Sequence, residues 1–323
     1  MKQMMAFALS LLFALPALSV PQQTGGQMSA AFVQAVDAAE ESQNERINTP
    51  RQPVVATGDA HTNSGQAGKE VQLPVLMYHS ILNSRKGVYV ISERQLRDDL
   101  RALRHAGYSF VRASEVIAYA EGRGSLPEKP VLITFDDGHY NTYHYALPIL
   151  REMGASAVVN VVGKYTDSCS ARGEKDNPNY SYLTWEEIGE MAQMPEAEIG
   201  NHTYAMHEYH PRFGVERIRG ETDDAYRIAL QKDICGMQQM LKEKSGVVPQ
   251  VFAYPFGKYN KTAEQTIVGM GFKMILTCTE GVSTVRQGDP TSLYALKRFN
   301  RNGAMSTAFI LQEVTQARSI PFK

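Results

Sequence analysis

The 323-residue sequence is poor in cysteine and tryptophan, and it has no long apolar run beyond its first residues. Its three cysteines, Cys169, Cys235 and Cys278, lie far apart and form no CxxC pair, which argues against a disulfide-built scaffold and a CxxC-type metal site. No run of lysine and arginine occurs and the formal net charge is −1, so no nucleic-acid partner is expected. The length allows one large domain or two small ones, and a hydrophobic content of 43% is enough to build a sizeable core.

The first residues, MKQMMAFALSLLFALPALSV, have the pattern of a signal peptide. Lys2 precedes an apolar stretch, and Ala-Leu-Ser at 17–19 is a small-x-small cleavage pattern. Because the apolar stretch is short for a membrane span, we predict a signal peptide at 1–19 and no stable membrane span after cleavage. The protein is therefore expected to be secreted, periplasmic or otherwise in the cell envelope. An uncleaved N-terminal anchor is the alternative.

The rest of the chain divides into a polar linker and a folded domain. Residues 20–72 contain few large apolar side chains and are predicted to form a flexible, disordered tether. From 73 to 323, short apolar runs alternate with amphipathic helices, such as those capped by Ser92 and Thr184. Repeated strand–helix units predict an α/β fold with a parallel sheet, and their number fits a (β/α) barrel.

Polar residues follow several of the predicted strands. Asp136 and Asp137 follow PVLITF, His79 follows VLMY, and His202 follows EIGN. In (β/α) barrels the reacting groups lie at the carboxyl ends of the strands. An Asp-Asp-Gly sequence by itself is equally consistent with an ordinary turn, because both residue types favour turns.

The stretch EIGNHTYAMHEYH indicates a metal site. It contains His202, His207 and His210 in a chain with only eight histidines. Imidazoles are preferred ligands for zinc, iron, nickel and cobalt, and a carboxylate commonly completes the set. His202 and His207 are five positions apart and would not share a helix face, so a loop after a strand is expected to carry them.

In this order, the motifs TFDDG, NHTYAMH and FAYPFG resemble those of the polysaccharide deacetylase family, known as the NodB homology domain or carbohydrate esterase family 4. The resemblance covers about residues 73 to 300. It implies a distorted (β/α) barrel, NodB-like, that removes acetyl groups from glycans with the help of a divalent metal ion.

The resemblance also implies a role for each motif residue. Asp136 looks like the catalytic base, Asp137 the metal-binding aspartate, and His202 and His207 the histidine ligands. The five-residue His spacing and a His at the front of the domain are similar to the branch that acts on poly-β-1,6-N-acetylglucosamine. His79 therefore looks like the general acid, since the late segment LKRFNRNG contains no histidine.

The third motif, FAYPFG, contains candidate substrate-binding residues, and it differs from the family pattern at one position. The stretch Tyr254, Pro255, Phe256 and Gly257 is expected to line the sugar groove, with packing at the barrel rim as the alternative for the two rings. Many family members carry an arginine before the Pro-Tyr of this motif, whereas this chain has AYPFG. Arg298 or backbone groups are the candidate replacements.

We therefore predict an exported hydrolase that removes N-acetyl groups from glycans containing N-acetylglucosamine. A metal-activated water would attack, with Asp136 as base and His79 as acid. Zinc is the preferred ion, with nickel, cobalt or iron as alternatives, and the favoured polymer is poly-β-1,6-N-acetylglucosamine. The alternatives are a peptidoglycan or chitin-oligosaccharide deacetylase and a non-catalytic glycan-binding envelope protein. A peptidase is disfavoured because the chain has no HExxH sequence.

Overall fold

The computed structural model of the protein describes residues 69–84, 87–172 and 177–319. The predicted signal peptide at 1–19 and nearly all of the predicted tether at 20–72 lie outside these residues. In the described part of the chain, no helix is both long and apolar enough to span a membrane.

Nine described strands form one sheet and two more form a small separate pair. The strands are β1 (Glu70–Tyr78), β2 (Ser80–Ile81), β3 (Val90–Ile91), β4 (Ser109–Phe110), β5 (Pro130–Phe135), β6 (Ala157–Val161), β7 (Ala197–Asn201), β8 (Val251–Ala253), β9 (Met274–Leu276), β10 (Val282–Arg286) and β11 (Phe299–Asn300). The order of the large sheet is β10-β1-β5-β6-β7-β8-β9, with β11 beside β1 and β4 beside β5. The first strand begins slightly before the predicted domain start at 73, because residues 70–72 pair with β10.

Strands β1 and β5 to β9 are parallel to their neighbours, whereas β10 is antiparallel to β1. The sheet is curled into an incompletely closed barrel. The α/β class and the distorted barrel predicted from the sequence are therefore confirmed. The parallel arrangement brings the carboxyl ends of β1 and β5 to β8 to one edge, where the site residues are found.

Eight α-helices are described between and after these strands. They are α1 (Glu93–His105), α2 (Ala113–Ala120), α3 (Leu147–Glu152), α4 (Gly163–Arg172), α5 (Trp185–Met191), α6 (Asp223–Ser245), α7 (Lys261–Gly269) and α8 (Thr307–Ser319). The sequence predicts one helix from 140 to 154, but α3 is preceded by a π-helix at Thr142–Ala146. Pro148 has no N–H to bond the carbonyl of His144, which favours the wider turn at this point.

The predicted helix ends are confirmed where the sequence has strong capping signals. Ser92 and Thr184 both form capping boxes, with Gln95 and Glu187 respectively as the third helical residue. Helix α6 ends at Gly246, whose φ of 71° is the left-handed conformation that glycine adopts without a steric penalty.

The alternation of side chains along β5 explains where Asp136 points. Val131, Ile133 and Phe135 pack in a cluster with residues of α1 and α3. Leu132 instead packs with apolar residues of β1, β6, β8 and β9. Because successive side chains of a strand point to opposite faces, Asp136 continues the row of Leu132. It therefore points to the inner face of the curled sheet.

Candidate active site

The carboxyl ends of three parallel strands bring the predicted residues together. His79 directly follows β1, Asp136 and Asp137 follow β5, and His202 follows β7. His207 lies in the loop after His202. Carboxyl ends of neighbouring parallel strands meet at one edge of a sheet, which is where α/β folds place their ligands.

Asp137, His202 and His207 form a compact cluster whose ligand atoms all lie within 4.8 Å of one another. Oδ1 of Asp137 is 3.1 Å from Nε2 of His207 and 3.7 Å from Nε2 of His202. This oxygen is buried, and no described residue donates a well-aligned hydrogen bond to it. An orphaned carboxylate oxygen facing two imidazole nitrogens is a donor set that zinc and similar divalent ions favour, so the residues fit such an ion.

Each histidine has its Nδ1 occupied and its Nε2 directed to the cluster. Nδ1 of His202 is 2.8 Å from the carbonyl oxygen of Ala253, so this nitrogen carries the proton and donates it. Nδ1 of His207 is 3.2 Å from Oη of Tyr165, whose hydroxyl donates to the carbonyl oxygen of His207 at 3.0 Å. That hydroxyl oxygen can then accept from Nδ1–H. We therefore assign the Nδ1–H tautomer to both rings, which leaves both Nε2 lone pairs for a metal ion.

The pKa values within the cluster differ because the surroundings differ. Burial lowers the pKa of His202 from 6.5 to about 4, so its ring is in the neutral form that a metal ligand requires. Burial also acts against protonation of His207, but the Asp137 carboxylate outweighs burial and raises its pKa. Burial alone would raise the pKa of Asp137, whereas its contacts with His139 and His207 hold it well below the usual range.

Strained backbone turns stand at three strand ends. Asp137, Thr203 and Phe256 have φ values of 74°, 73° and 57°. Left-handed φ is uncommon outside glycine and unfavourable for a β-branched residue such as Thr203, at a cost of about 1–3 kcal/mol. Oδ1 of Asn201 accepts from the N–H of Thr203 at 2.8 Å and holds that turn. The turn at Asp137 directs its side chain to the histidines, away from the direction taken by Asp136.

Asp136 is anchored by two partners and keeps part of one oxygen free. Its Oδ1 accepts from Nη1 of Arg298 at 2.8 Å and from Nδ2 of Asn160 at 2.7 Å, and its Oδ2 accepts from Nη2 of Arg298 at 2.7 Å. Burial alone would raise the pKa of Asp136, but the Arg298 guanidinium outweighs burial and holds the pKa well below its usual range. Asp136 is therefore an ionised carboxylate at neutral pH, and its Oδ2 retains acceptor capacity.

Arg298 provides the guanidinium that the third motif lacks. Its side chain is fully buried, and it also donates to the carbonyl oxygen of Thr277 at 2.7 Å and to Oγ1 of Thr134 at 3.2 Å. It immediately precedes β11, which pairs with β1. Of the two replacements that the sequence leaves open, the structure places Arg298, rather than backbone groups alone, on Asp136.

Asn160 reaches Asp136 because the neighbouring strand has a glycine beside it. Asn160 on β6 is in register with Gly200 on β7. A Cβ atom at position 200 would lie 1.9 Å from Oδ1 of Asn160, so any side chain there would displace the amide. Glycine is therefore required at position 200 for a steric reason that concerns Asp136 rather than the cluster of Asp137, His202 and His207.

His79 lies beside an exposed tyrosine at the edge of the cluster. Its ring centroid is 4.6 Å from that of Tyr89, and its buried Nδ1 has no hydrogen-bond partner among the described residues. Burial lowers the pKa of His79, although the carboxylates of Asp137 and Asp136 act in the opposite direction. The neutral ring is therefore favoured at pH 7 before substrate binds.

The third motif lines the site only in part. Tyr254 is fully buried and stacks on Tyr259 at 4.3 Å, and Pro255 is buried as well. Both side chains pack in the core at the rim of the sheet, which is the alternative that the sequence leaves open for the Tyr254 ring. Phe256 and Gly257 remain partly exposed, and the ring of Phe256 is 4.4 Å from that of His207.

Besides Asn160, two further supporting residues were not predicted. Nε2 of His139 is 3.5 Å from Oδ2 of Asp137, and its ring stacks on Tyr182 at 4.9 Å. Asp233 of α6 accepts from the N–H groups of Tyr204 and Ala205 at 2.8 and 2.9 Å, which holds the loop between His202 and His207. The position of His139 directly after DDG was the available signal for the first residue. No local pattern marks the second.

Comparison with known proteins agrees with this arrangement. Residues 123–275 match the family model described as polysaccharide deacetylase, a range that includes both aspartates and both histidines but neither His79 nor Arg298. The poly-beta-1,6-N-acetyl-D-glucosamine N-deacetylase of Escherichia coli (strain K12) is 28% identical over 212 residues, which cover 60% of this chain and 32% of the relative. The chain thus spans about a third of the length of the first curated relatives it matches.

Two further matches extend over most of the described domain. The putative polysaccharide deacetylase YxkH of Bacillus subtilis (strain 168) is 27% identical over 238 residues, or 74% of each chain. The solved structure of IcaB from Ammonifex degensii superposes with a TM-score of 0.62 at 27% identity, covering 78% of this chain and 98% of that one. The family match, these relatives and the shared fold identify a polysaccharide deacetylase domain in this chain.

Proposed function

We propose that the protein is an exported, metal-dependent polysaccharide deacetylase that hydrolyses N-acetyl groups of glycans containing N-acetylglucosamine. The observation that carries this proposal is the Asp137, His202 and His207 cluster next to an arginine-anchored Asp136. The favoured substrate is poly-β-1,6-N-acetylglucosamine. The His spacing, the placement of His79 and the name of the Escherichia coli relative support this polymer over peptidoglycan and chitin oligosaccharides.

Asp137, His202 and His207 would hold the divalent ion, for which zinc is the first choice and nickel, cobalt and iron are the alternatives. Such an ion acidifies water from a pKa of 15.7 towards about 7 and polarises the acetyl carbonyl. The neutral ring of His202 is ready to bind, whereas the raised pKa of His207 means that protonation of this ring competes with metal binding as the pH falls.

Asp136 would accept the proton of the attacking water on Oδ2. Because Arg298 lowers its pKa, Asp136 is a weak base that stays ionised at neutral pH and accepts a proton only from an acidified donor. Arg298 and Asn160 fix the carboxylate so that its remaining acceptor capacity is on Oδ2. This geometry supports proton transfer to Oδ2 rather than Oδ1.

His79 would supply the proton to the departing nitrogen. The water oxygen adds to the acetyl carbon, the C–N bond breaks, and the nitrogen leaves as an amine with the proton from His79. Burial lowers the pKa of this ring, so its protonated form is a stronger acid than an exposed imidazolium. The ring must gain that proton during the reaction cycle, since the neutral form is favoured at rest.

Acetate release from the purified protein tests this function. Metal-free protein is assayed with zinc, nickel, cobalt and iron in turn, on β-1,6 and β-1,4 N-acetylglucosamine oligomers and on peptidoglycan fragments. We expect metal-dependent acetate release that is greatest on the β-1,6 oligomers. Glycan binding without acetate release under any of the four ions would instead identify a non-catalytic glycan-binding protein.

We also propose that the chain is divided into the three segments that the sequence predicts. Residues 1–19 would direct export, 20–72 would act as a flexible linker, and 73–323 would form the catalytic domain. Expression in a bacterial host, followed by N-terminal sequencing of the protein from the envelope and medium fractions, tests export and cleavage. A mature N-terminus near residue 20 is expected, and an intact Met1 in the membrane fraction would indicate the uncleaved anchor.

A further inference from the structure

Two strongly exposed tyrosines border the site without a part in the chemistry described above. Tyr89 is 56% exposed and Tyr209 is 65% exposed. Single exposed aromatic rings are common on protein surfaces, so exposure alone assigns no role and the contacts of each ring must carry the argument. Each of these two rings is in contact with a different part of the site.

Tyr89 covers the side of the site that carries His79. Its ring centroid is 4.6 Å from that of His79, and its carbonyl oxygen accepts from the N–H of Ser80 at 3.0 Å. The loop is held from the other side by Gly303, whose N–H donates to the carbonyl oxygen of Gly87 at 2.9 Å. A Cβ atom at position 303 would lie 2.0 Å from the carbonyl oxygen of Val90, so only glycine allows this approach. Tyr89 is therefore exposed but held in position.

Tyr209 is the outermost ring on the opposite side. It stacks on Phe256 at 4.8 Å and on Phe213 at 5.3 Å, with interplanar angles of 29° and 22°. Phe256 in turn contacts the ring of His207 at 4.4 Å. This cluster of three rings requires Gly214, because a Cβ atom there would lie 2.7 Å from the carbonyl oxygen of Pro255.

The strand order places the two tyrosines on opposite flanks of the aspartates. His79, with Tyr89, follows β1, whereas His207 and Phe256, with Tyr209, follow β7 and β8. Strand β5, which carries Asp136 and Asp137, lies between them in the sheet. One exposed ring therefore borders the proton donor, and the other borders the metal cluster.

We propose that Tyr89 and Tyr209 are stacking platforms for two sugar rings on either side of the unit being deacetylated. This assignment rests on the proposed function and narrows its substrate class to glycans of at least three units, bound within the chain. Sugar rings linked by β bonds present C–H faces that pack on aromatic faces without a charged partner. A tyrosine loses only two side-chain torsions when it is immobilised, so such contacts carry a low entropic cost.

The test compares substrates of different length. Acetate release is measured on β-linked N-acetylglucosamine from one to six units with Tyr89→Ala, Tyr209→Ala, and the ring-preserving Tyr89→Phe and Tyr209→Phe. Ile228→Ala is the matched control, since Ile228 is 61% exposed on the outer helix α6. We expect kcat/KM on the hexamer to fall about tenfold more than on the monosaccharide in each alanine variant, mainly through KM, with the phenylalanine variants near wild type. An equal loss at all lengths, or no loss on the hexamer, would overturn the assignment.

A binding measurement separates this assignment from the proposed activity. Calorimetric titration of the hexamer into chelator-treated wild type and variants needs no turnover. Binding that weakens about tenfold in the alanine variants supports the stacking platforms even if no preparation releases acetate, in which case the proposed deacetylase function alone fails. Unchanged binding in those variants, or no hexamer binding to the wild type, overturns the platforms.

Discussion

Two buried arginine–aspartate pairs stand on either side of the short strand β11, and they differ in one respect that decides their roles. Arg298 precedes β11 and binds Asp136, whereas Arg301 follows β11 and binds Asp99. All four side chains are at most 2% exposed. Because the two arginines are three positions apart along an extended segment, they point to opposite faces. One reaches the inner face of the sheet and the other reaches α1.

The difference lies in how many donors each carboxylate receives. Asp99 accepts from Nε and Nη2 of Arg301 at 2.6 and 3.1 Å, from Oη of Tyr78 at 3.2 Å and from Oγ1 of Thr307 at 2.6 Å, two donors for each oxygen. Asp136 receives three donors, and its Oδ2 has only one. The saturated carboxylate can only stabilise the fold, whereas the other can also accept a proton.

Replacing each aspartate by asparagine should separate the two roles most strongly. Asp136→Asn removes the proposed base, so acetate release should fall by about 10²–10⁴-fold while metal affinity is kept. Asp99→Asn should leave kcat within a few-fold of wild type in protein that is still folded. The measurements are acetate release and calorimetric zinc titration. Asp137→Asn, which should weaken zinc binding itself, is the control. Equal activity losses at 99 and 136 would remove the distinction.

Breaking either ion pair from the arginine side should destabilise the fold. Arg301→Met leaves the buried Asp99 carboxylate without its cation, at an expected cost of about 3–5 kcal/mol in the free energy of unfolding. The double variant Asp99→Leu/Arg301→Met should recover most of that loss, because both buried charges are gone. Urea denaturation of the metal-free protein measures both. A double variant as unstable as the single one would mean that packing, rather than charge burial, sets the cost.

The comparison also shows which parts of the site can be predicted from sequence. Asp136, Asp137, His202 and His207 stand directly after strands or in the loop that follows one, so local pattern and motif find them. The residues that bond Asp136, namely Asn160 and Arg298, are instead brought to it by the pairing of strands across the sheet.

The bonds of Asn160 and Arg298 to Asp136 join residues 24 and 162 positions apart, and they depend on strand register and on the position of β11. No local pattern contains that information. The local sequence also does not predict that Arg298 and Arg301, three positions apart, bind two different aspartates.

The burial of Tyr254 has a different origin. The motif FAYPFG marks a turn at the rim but does not state which side of the sheet each ring occupies. Tyr254 is two residues after Phe252, and both rings face α6 and α7 in one buried cluster. The period of two along β8 predicts this, since alternate residues share a face. Strand parity was therefore a better guide than the motif at this position.

The hydrogen bonds that neutral side chains donate to the two carboxylates offer a smaller test of the same comparison. Thr307→Val removes one donor from Asp99, and Asn160→Leu removes one from Asp136. Hydrogen bonds to charged groups are worth about 1.5–3 kcal/mol, so Thr307→Val should lower the free energy of unfolding by that amount without changing turnover. Asn160→Leu should cost less, because Oδ1 of Asn160 is already buried without a partner. Turnover should nevertheless fall, since Asp136 loses part of its anchor. A turnover loss in Thr307→Val instead would contradict the assigned roles.

Acid titration should produce the smallest effect, and it concerns Asp136 alone. Its pKa in the folded protein is well below the value of about 3.9 expected in an unfolded chain. The unfolded state therefore takes up protons first as the pH falls. The stabilising contribution of the ionised Asp136 is complete above about pH 4 and is lost as the pH drops towards the folded-state pKa. The difference in unfolding free energy between wild type and Asp136→Asn should thus be constant from neutral pH to about pH 4 and shrink below it, as measured by urea denaturation with chelator present. A difference that stays constant or grows as the pH falls below about 4 would show that Arg298 does not hold the carboxylate in its ionised form.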